Sequence, residues 1–204
     1  MSYLKGYEHD QLLQQLRSVE QLIEEHKHEE ARTALLALHS RAAAAKMSSA
    51  YLAWKLAIVF DCIGDGLKAA HYAELAVQLD PLALPFHGSL ETILTRIRRT
   101  LADPELDASE AWIPQMYGTL QHLGEADDAS HLAFAKHLLT RNDAAHALRV
   151  LEALTLLSPS FAAGWELLAS VARKVGNQEL AKNAEQQLGF VLAHPRFEEP
   201  AARA

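Results

Sequence analysis

Apolar residues return every three or four positions through most of the chain, and short polar clusters containing glycine, asparagine or proline interrupt the runs. Leu12, Leu16, Val19 and Ile23 line one face of a first helix, expected over 10–25. A second periodic segment, Glu29 to Ala45, follows the polar break His26-Lys27-His28. Three later breaks share one form: Ile63-Gly64-Asp65-Gly66, Arg141-Asn142-Asp143 and Val175-Gly176-Asn177. Each supplies a residue that tolerates left-handed backbone, which a tight turn between antiparallel helices requires. About 17 residues after two of these turns stand Leu79-Asp80-Pro81 and Leu157-Ser158-Pro159, where proline ends one helix or opens the next. The repeating unit is therefore a helix, a turn, a helix and a stop. Alanines support it: Ala57 and Ala69, Ala135 and Ala147, Ala169 and Ala181 lie 12 residues apart across the turn, where small side chains let two helices approach closely.

With these marks in place the sequence resembles the tetratricopeptide (TPR) repeat, a unit of about 34 residues carrying W-x2-L-G-x2-Y, then A-x3-F, then P. The stretch Ala50 to Ala83 reads Ala53, Leu56, Ala57 and Phe60, then Ala69, Ala73, Ala76 and Pro81. Asp128 to Phe161 reads His131, Phe134, Ala135 and Leu138, then Ala147, Leu151, Leu154 and Pro159. From Ala162 onward come Trp165, Leu168, Ala169 and Ala172, then Ala181 and Leu188. Departures are present: two units lack the tryptophan, Glu185 stands where an aromatic is usual, and Pro195 falls two residues late. The resemblance implies an all-α fold, a right-handed superhelix of about five antiparallel helix pairs. Its units are expected at 12–45, 50–83, 84–127, 128–161 and 162–193. The third is stretched by an inserted loop at 102–108 between a helix from Pro85 to Ala102 and a second from Ser109 to Leu123, with Pro114 pulling that second start toward Ile113. Residues 1–9 are expected to form an N-terminal arm and 194–204 a disordered tail.

Composition narrows the function classes. Half the residues are apolar but only 7% are aromatic, and Gly (9) and Pro (7) are sparse, as helices joined by short turns require. The single cysteine, Cys62, forms no internal disulfide and no thiolate metal site, and reads as a buried structural thiol. The formal charge of −7 repels a polyphosphate backbone. Arg96, Arg98 and Arg99 cluster at a helix end, where they complement its dipole, so no nucleic-acid partner is expected. Met1 to Asp10 lacks a basic stretch followed by an apolar run, and no window reaches membrane-spanning length, which leads to the expectation of a cytoplasmic protein without membrane insertion.

Candidate chemistry is thin. Eleven histidines raise the question of a metal, with His26-Lys27-His28-Glu29-Glu30 the densest group, but no H-E-x-x-H and no Cys/His arrangement occurs. Gly64-Asp65-Gly66 follows a helix and lacks the spacing of a phosphate loop, and no G-x-S-x-G elbow is present. Neither cofactor, metal nor catalytic residue is expected.

What the resemblance implies is protein binding on a concave wall built from the first helix of each pair. Carried onto this chain, the groove-lining positions beside the core are Tyr51, Trp54, Ile58 and Asp61, then Ala129, Leu132, Lys136 and Leu139, then Ala163, Glu166, Ser170 and Arg173. Trp54 has two readings: a groove anchor, or a core residue standing in for the tryptophan missing at Ala53. If the stripe is exposed, the wall grades from apolar to charged and suits an amphipathic helix or an extended apolar segment. The lysine, asparagine and arginine set with which some TPR proteins grip a C-terminal carboxylate is absent. The expected function is a non-enzymatic adaptor or scaffold, with a secretion-type chaperone shielding an apolar segment of an export substrate as the alternative. Self-association through the N-terminal helices is compatible with the apolar face of residues 10–25.

Overall fold

The computed structural model describes residues 14–194, so the expected arm at 1–9, Leu12 and the tail beyond His194 lie outside the described residues. Among the described residues there are ten helices and no strand. Helix α1 covers residues 14–24 and is followed by α2 (His28–Ala44), α3 (Ala50–Cys62), α4 (Gly66–Leu79), α5 (Leu84–Leu101) and α6 (Ile113–His122). Helices α7 (Asp128–Thr140), α8 (Ala144–Leu157), α9 (Ala162–Lys174) and α10 (Gln178–Ala193) complete the order. The chain divides into two compact units, with the boundary between Ile97 and Arg98. The repeat is visible in the helix starts: α7 and α9 begin 34 residues apart, as do α8 and α10.

The turns inside the pairs are built alike. After α3, Gly64 sits at φ 83°, its N–H donates to the Asp61 carbonyl (3.1 Å), and the next N–H, that of Asp65, donates to the Phe60 carbonyl (2.9 Å). This is the Schellman closure, which satisfies the last carbonyls of a helix. The Asp65 carboxylate then accepts the Lys68 N–H (3.1 Å) and so caps α4. One residue thus finishes one helix and starts the next. Asn142 (φ 57°) with Asp143, and Gly176 (φ 81°) with Asn177, repeat the arrangement before α8 and α10. At Asp143 the hydrogen bonds from His146 hold the carboxyl below the usual carboxylate range.

The same closure ends α1 and α2, with residues the sequence does not advertise. His26 (φ 58°) and Lys46 (φ 54°) take the left-handed position, and Lys27 precedes α2 without a side-chain cap. The histidine cluster considered for metal binding is therefore a turn of the standard type filled by a poor turn former. A left-handed L-residue costs about 1–2 kcal/mol, and glycine returns part of that as unfolded-chain entropy. His26→Gly should accordingly stabilise the protein by about 0.5–1 kcal/mol, read as a higher midpoint in urea denaturation; a lower midpoint would mean that the imidazole holds a needed contact.

The connections between pairs also match. Asp80–Ala83 joins α4 to α5, and Ser158–Phe161 joins α8 to α9. In the first, His87 Nε2–H donates to the Pro81 carbonyl (2.9 Å), and in the second Trp165 Nε1–H donates to the Pro159 carbonyl (2.8 Å). Trp165 and His87 do the same work six residues after each proline.

The alanines mark the helix crossings. Ala57, Ala69, Ala135, Ala147, Ala169 and Ala181 are all buried. In the first unit Leu52, Leu56, Val59 and Phe60 of α3 fill the core with Ala70, Ala73 and Ala76 of α4. The second unit has its own core, in which Ala135, Leu151, Leu154, Leu168, Val171 and Ala184 from α7 to α10 pack together. There α6 joins through Tyr117, stacked on Phe134 (centroids 4.2 Å apart).

Two expectations are corrected. The connection after α5 runs past the expected loop at 102–108 through Trp112, and α6 opens at Ile113, the start toward which Pro114 pulls, and not at Ser109. Asp107 accepts the Ser109 N–H (2.8 Å) and holds the backbone in a turn, and Pro114, which has no N–H to donate, sits in the first turn of α6. This loop is fastened to α7, since His137 Nδ1–H donates to the Ala108 carbonyl (2.9 Å) and the Thr140 hydroxyl reaches the same oxygen (3.4 Å). The second correction concerns Cys62, which is exposed at the last position of α3. It stands two positions after the buried Phe60, which puts it on the far side of the helix from that ring. Its thiol is pushed up by partial desolvation and by the charge of Asp61, so it is a poor nucleophile at neutral pH.

Candidate functional site

In the first unit the expected stripe of α3 lies between α1 and α5, the first helices of the neighbouring pairs. Tyr51, Trp54, Ile58 and Asp61 are each half-buried, so the stripe keeps one exposed edge along its length. At its start the Tyr51 hydroxyl donates to the Glu20 carboxylate of α1. Lys55 joins them: its ammonium is 3.5 Å from Glu20 and lies over both rings, 5.1 Å from the Tyr51 centroid and 5.0 Å from that of Trp54. The hydrogen bond from Tyr51, with Lys55 beside it, holds the Glu20 carboxyl below its ordinary range, while desolvation raises that of the Tyr51 phenol.

Trp54 faces both ways. Its indole Nε1–H donates to Ser89 Oγ of α5 (2.8 Å) and its ring packs on Phe86 (5.4 Å) and against Tyr51 (5.5 Å). The ring therefore belongs partly to the small core of Ala53, Ala76 and Phe86, and its other edge is open. Asp61 ends the stripe in an ion pair with Arg96 of α5. Sequence reasoning named neither Glu20, Lys55 nor Ser89 for this wall. The i, i+4 step from Tyr51 to Lys55 was readable; the partners on α1 and α5 depend on how the pairs stack.

In the second unit the expected residues are more scattered. Leu132 and Leu139 of α7 are half-buried against the core, whereas Lys136 of α7 and Glu166 of α9 are exposed. Arg173 reaches Glu185 of α10 (3.2 Å), so its charge is drawn toward the second helix of its own pair. Arg98 pairs with Glu125 (2.6 Å), and together with the Arg96 pair this offsets two of the three charges in the basic cluster. Among the described residues no group of three or more His, Cys, Asp or Glu side chains is placed to hold a metal, and no helix is long and apolar enough to cross a membrane.

No protein-family model and no curated protein matches the chain. Solved structures of low identity do. MamA from Desulfovibrio magneticus RS-1 is 12% identical over 94% of this chain and 98% of its own, with a TM-score of 0.40. YrrB, described as a TPR protein with an unusual peptide-binding site, is 15% identical over 96% and 94% (TM-score 0.40). TTC0263, a thermophilic TPR protein of Thermus thermophilus, is 14% identical over 90% and 100% (TM-score 0.41). Likeness this remote transfers no residue role to the present chain.

Proposed function

We propose that the protein is a cytoplasmic, non-enzymatic adaptor that binds an amphipathic helix or extended apolar segment of a partner protein on the wall formed by α1, α3 and α5. The observation that supports this reading most is the held state of the aromatic pair. Tyr51 is fixed by Glu20, Trp54 by Ser89 and Phe86, and Lys55 lies over both rings. Side chains already ordered lose little rotamer freedom when a partner arrives, and partly exposed Tyr and Trp are the residue types that concentrate binding energy. Apolar segments suit the centre of the stripe, where Ile58 continues the aromatic surface. The cations Lys55 and Arg96 stand beside it, each facing a carboxylate that a partner's acidic flank would replace.

A photocrosslinking amino acid at Ile58, followed by mass spectrometry of the adducts formed in the protein's own cell extract, identifies the occupant. With that occupant in hand, Tyr51→Ala should weaken binding about tenfold or more, as for an interface anchor worth over about 1.4 kcal/mol. Trp54→Phe, which keeps the packing on Phe86, should weaken it as well. Unchanged affinity in both variants would remove this wall from consideration. One dominant adduct from an export substrate would favour the chaperone role, and several unrelated adducts the scaffold role.

A further inference from the structure

The first unit carries a second surface away from the stripe. The C-terminal ends of α2 and α4 and the start of α3 enclose an open cavity of about 330 Å³, walled by Met47, Leu52, Leu75 and Leu79 and bordered by His39 and Lys46. A water takes about 30 Å³, so the space accommodates a branched aliphatic side chain. No carboxylate lines it. Helices α2 and α4 each bring roughly half a negative charge to it and α3 roughly half a positive one, so the full charge of Lys46 leaves the mouth positive. Lys46 makes no ion pair among the described residues, in a chain of net charge −7.

The large apolar side chains left exposed in this unit gather at the same place. Among the described residues they are Met47 (42% exposed) and Leu79 (39%) on the cavity wall, and Leu82 (90%) and Leu84 (81%) in and just after the turn that begins one residue beyond Leu79. That turn is held out by Asp80, whose carboxylate accepts the Leu82 N–H (3.3 Å). A cavity and a protruding leucine thus share one patch, and the cation at the cavity has its complement in the exposed Asp80 beside the leucine. A surface that contains both halves of a contact is what a two-fold interface needs, because each copy offers the same residues to the other.

We infer that this face binds a second copy of the chain, with Leu82 of each molecule entering the cavity of the other and Asp80 meeting the opposing Lys46. The contact is separate from the α1, α3 and α5 wall and does not depend on what that wall binds. It gives the assembly two walls, so a partner with two binding segments gains avidity.

The test is sedimentation equilibrium of the full chain across a broad concentration series. The wild type should form a concentration-dependent dimer. Leu82→Glu should be monomeric while keeping its helical circular dichroism and melting point, because a side chain this exposed contributes little to folding. Lys46→Glu and Asp80→Lys should each raise the dimer dissociation constant about tenfold or more. The double variant, which reverses both charges, should recover most of the wild-type affinity. A wild type that stays monomeric overturns the inference and leaves the cavity to a different protein. Dimers unaffected by Leu82→Glu, or a double variant no tighter than the single ones, overturn it in favour of another interface.

Discussion

Phe60→Ala should destabilise the protein by about 3–5 kcal/mol, the range for removing a buried aromatic from a core that cannot collapse around the gap. Phe60 lies near the end of α3, is 2% exposed and stacks face to face on Tyr72 of α4, with centroids 5.5 Å apart and planes 2° from parallel. The Lys68 ammonium covers the ring at 5.3 Å. Neighbours cannot close over the vacancy, because Leu56, Ala57 and Ala69 are already packed and two of the three are alanines with no reach. Typical domains are stable by about 5–15 kcal/mol, so the loss amounts to about a fifth of the total or more. Urea denaturation followed by circular dichroism reads it directly as a fall in midpoint at unchanged slope. A change below about 1 kcal/mol would show that Phe60 is not the centre of the first unit's core.

Ala135→Leu should cost about 1–3 kcal/mol by the opposite mechanism, overpacking. Ala135 of α7 and Ala147 of α8 are both fully buried, and their size sets how closely the two helices run. Alanine and leucine differ little in helix propensity, so the backbone itself is indifferent to the exchange. The added carbons must go between α7 and α8, which also support Leu151, Leu154 and Leu168. Ala145→Leu, ten residues on at an exposed position of α8, is the control and should stay within about 0.5 kcal/mol. Equal midpoints for the two variants would mean that the alanine pair does not set the helix spacing.

The elements that were legible in the sequence are those whose chemistry is local. A left-handed turn position selects Gly or Asn, and a helix N-cap selects Asp or Asn, so Gly64-Asp65, Asn142-Asp143 and Gly176-Asn177 gave away three hairpins before any packing was known. Alanine spacing located the crossings for the same reason. His26 and Lys46 occupy the identical backbone state without the residue type that marks it, so the break at His26-Lys27-His28 shows in the periodicity, but the left-handed backbone at both positions is revealed only by the fold. The start of α6 was readable only as lying between Ser109 and Ile113, with Pro114 pulling it to Ile113; a turn at Asp107 and a loop carbonyl taken up by α7 outweigh the helical preference of the residues before it. Trp54 could not be assigned to core or groove from its position, since its surroundings come from Phe86 and Ser89, over thirty residues away. Cys62 misled for a related reason: cysteine is usually buried, but the face it occupies is fixed by its neighbours on α3.

The residue that both closes one helix and caps the next bears on how the chain acquires its structure. Asp65, Asp143 and Asn177 each tie two helices into one object through bonds spanning only a few residues. The alanine contact that follows joins positions 12 residues apart. Loop closure on that scale takes about 10–100 ns and a helix forms in about 0.1–1 μs, so a hairpin can assemble without waiting for distant parts of the chain. As a nascent chain emerges from a ribosome at about 5–20 residues per second, the first helix of each of these three hairpins would wait only for its own partner.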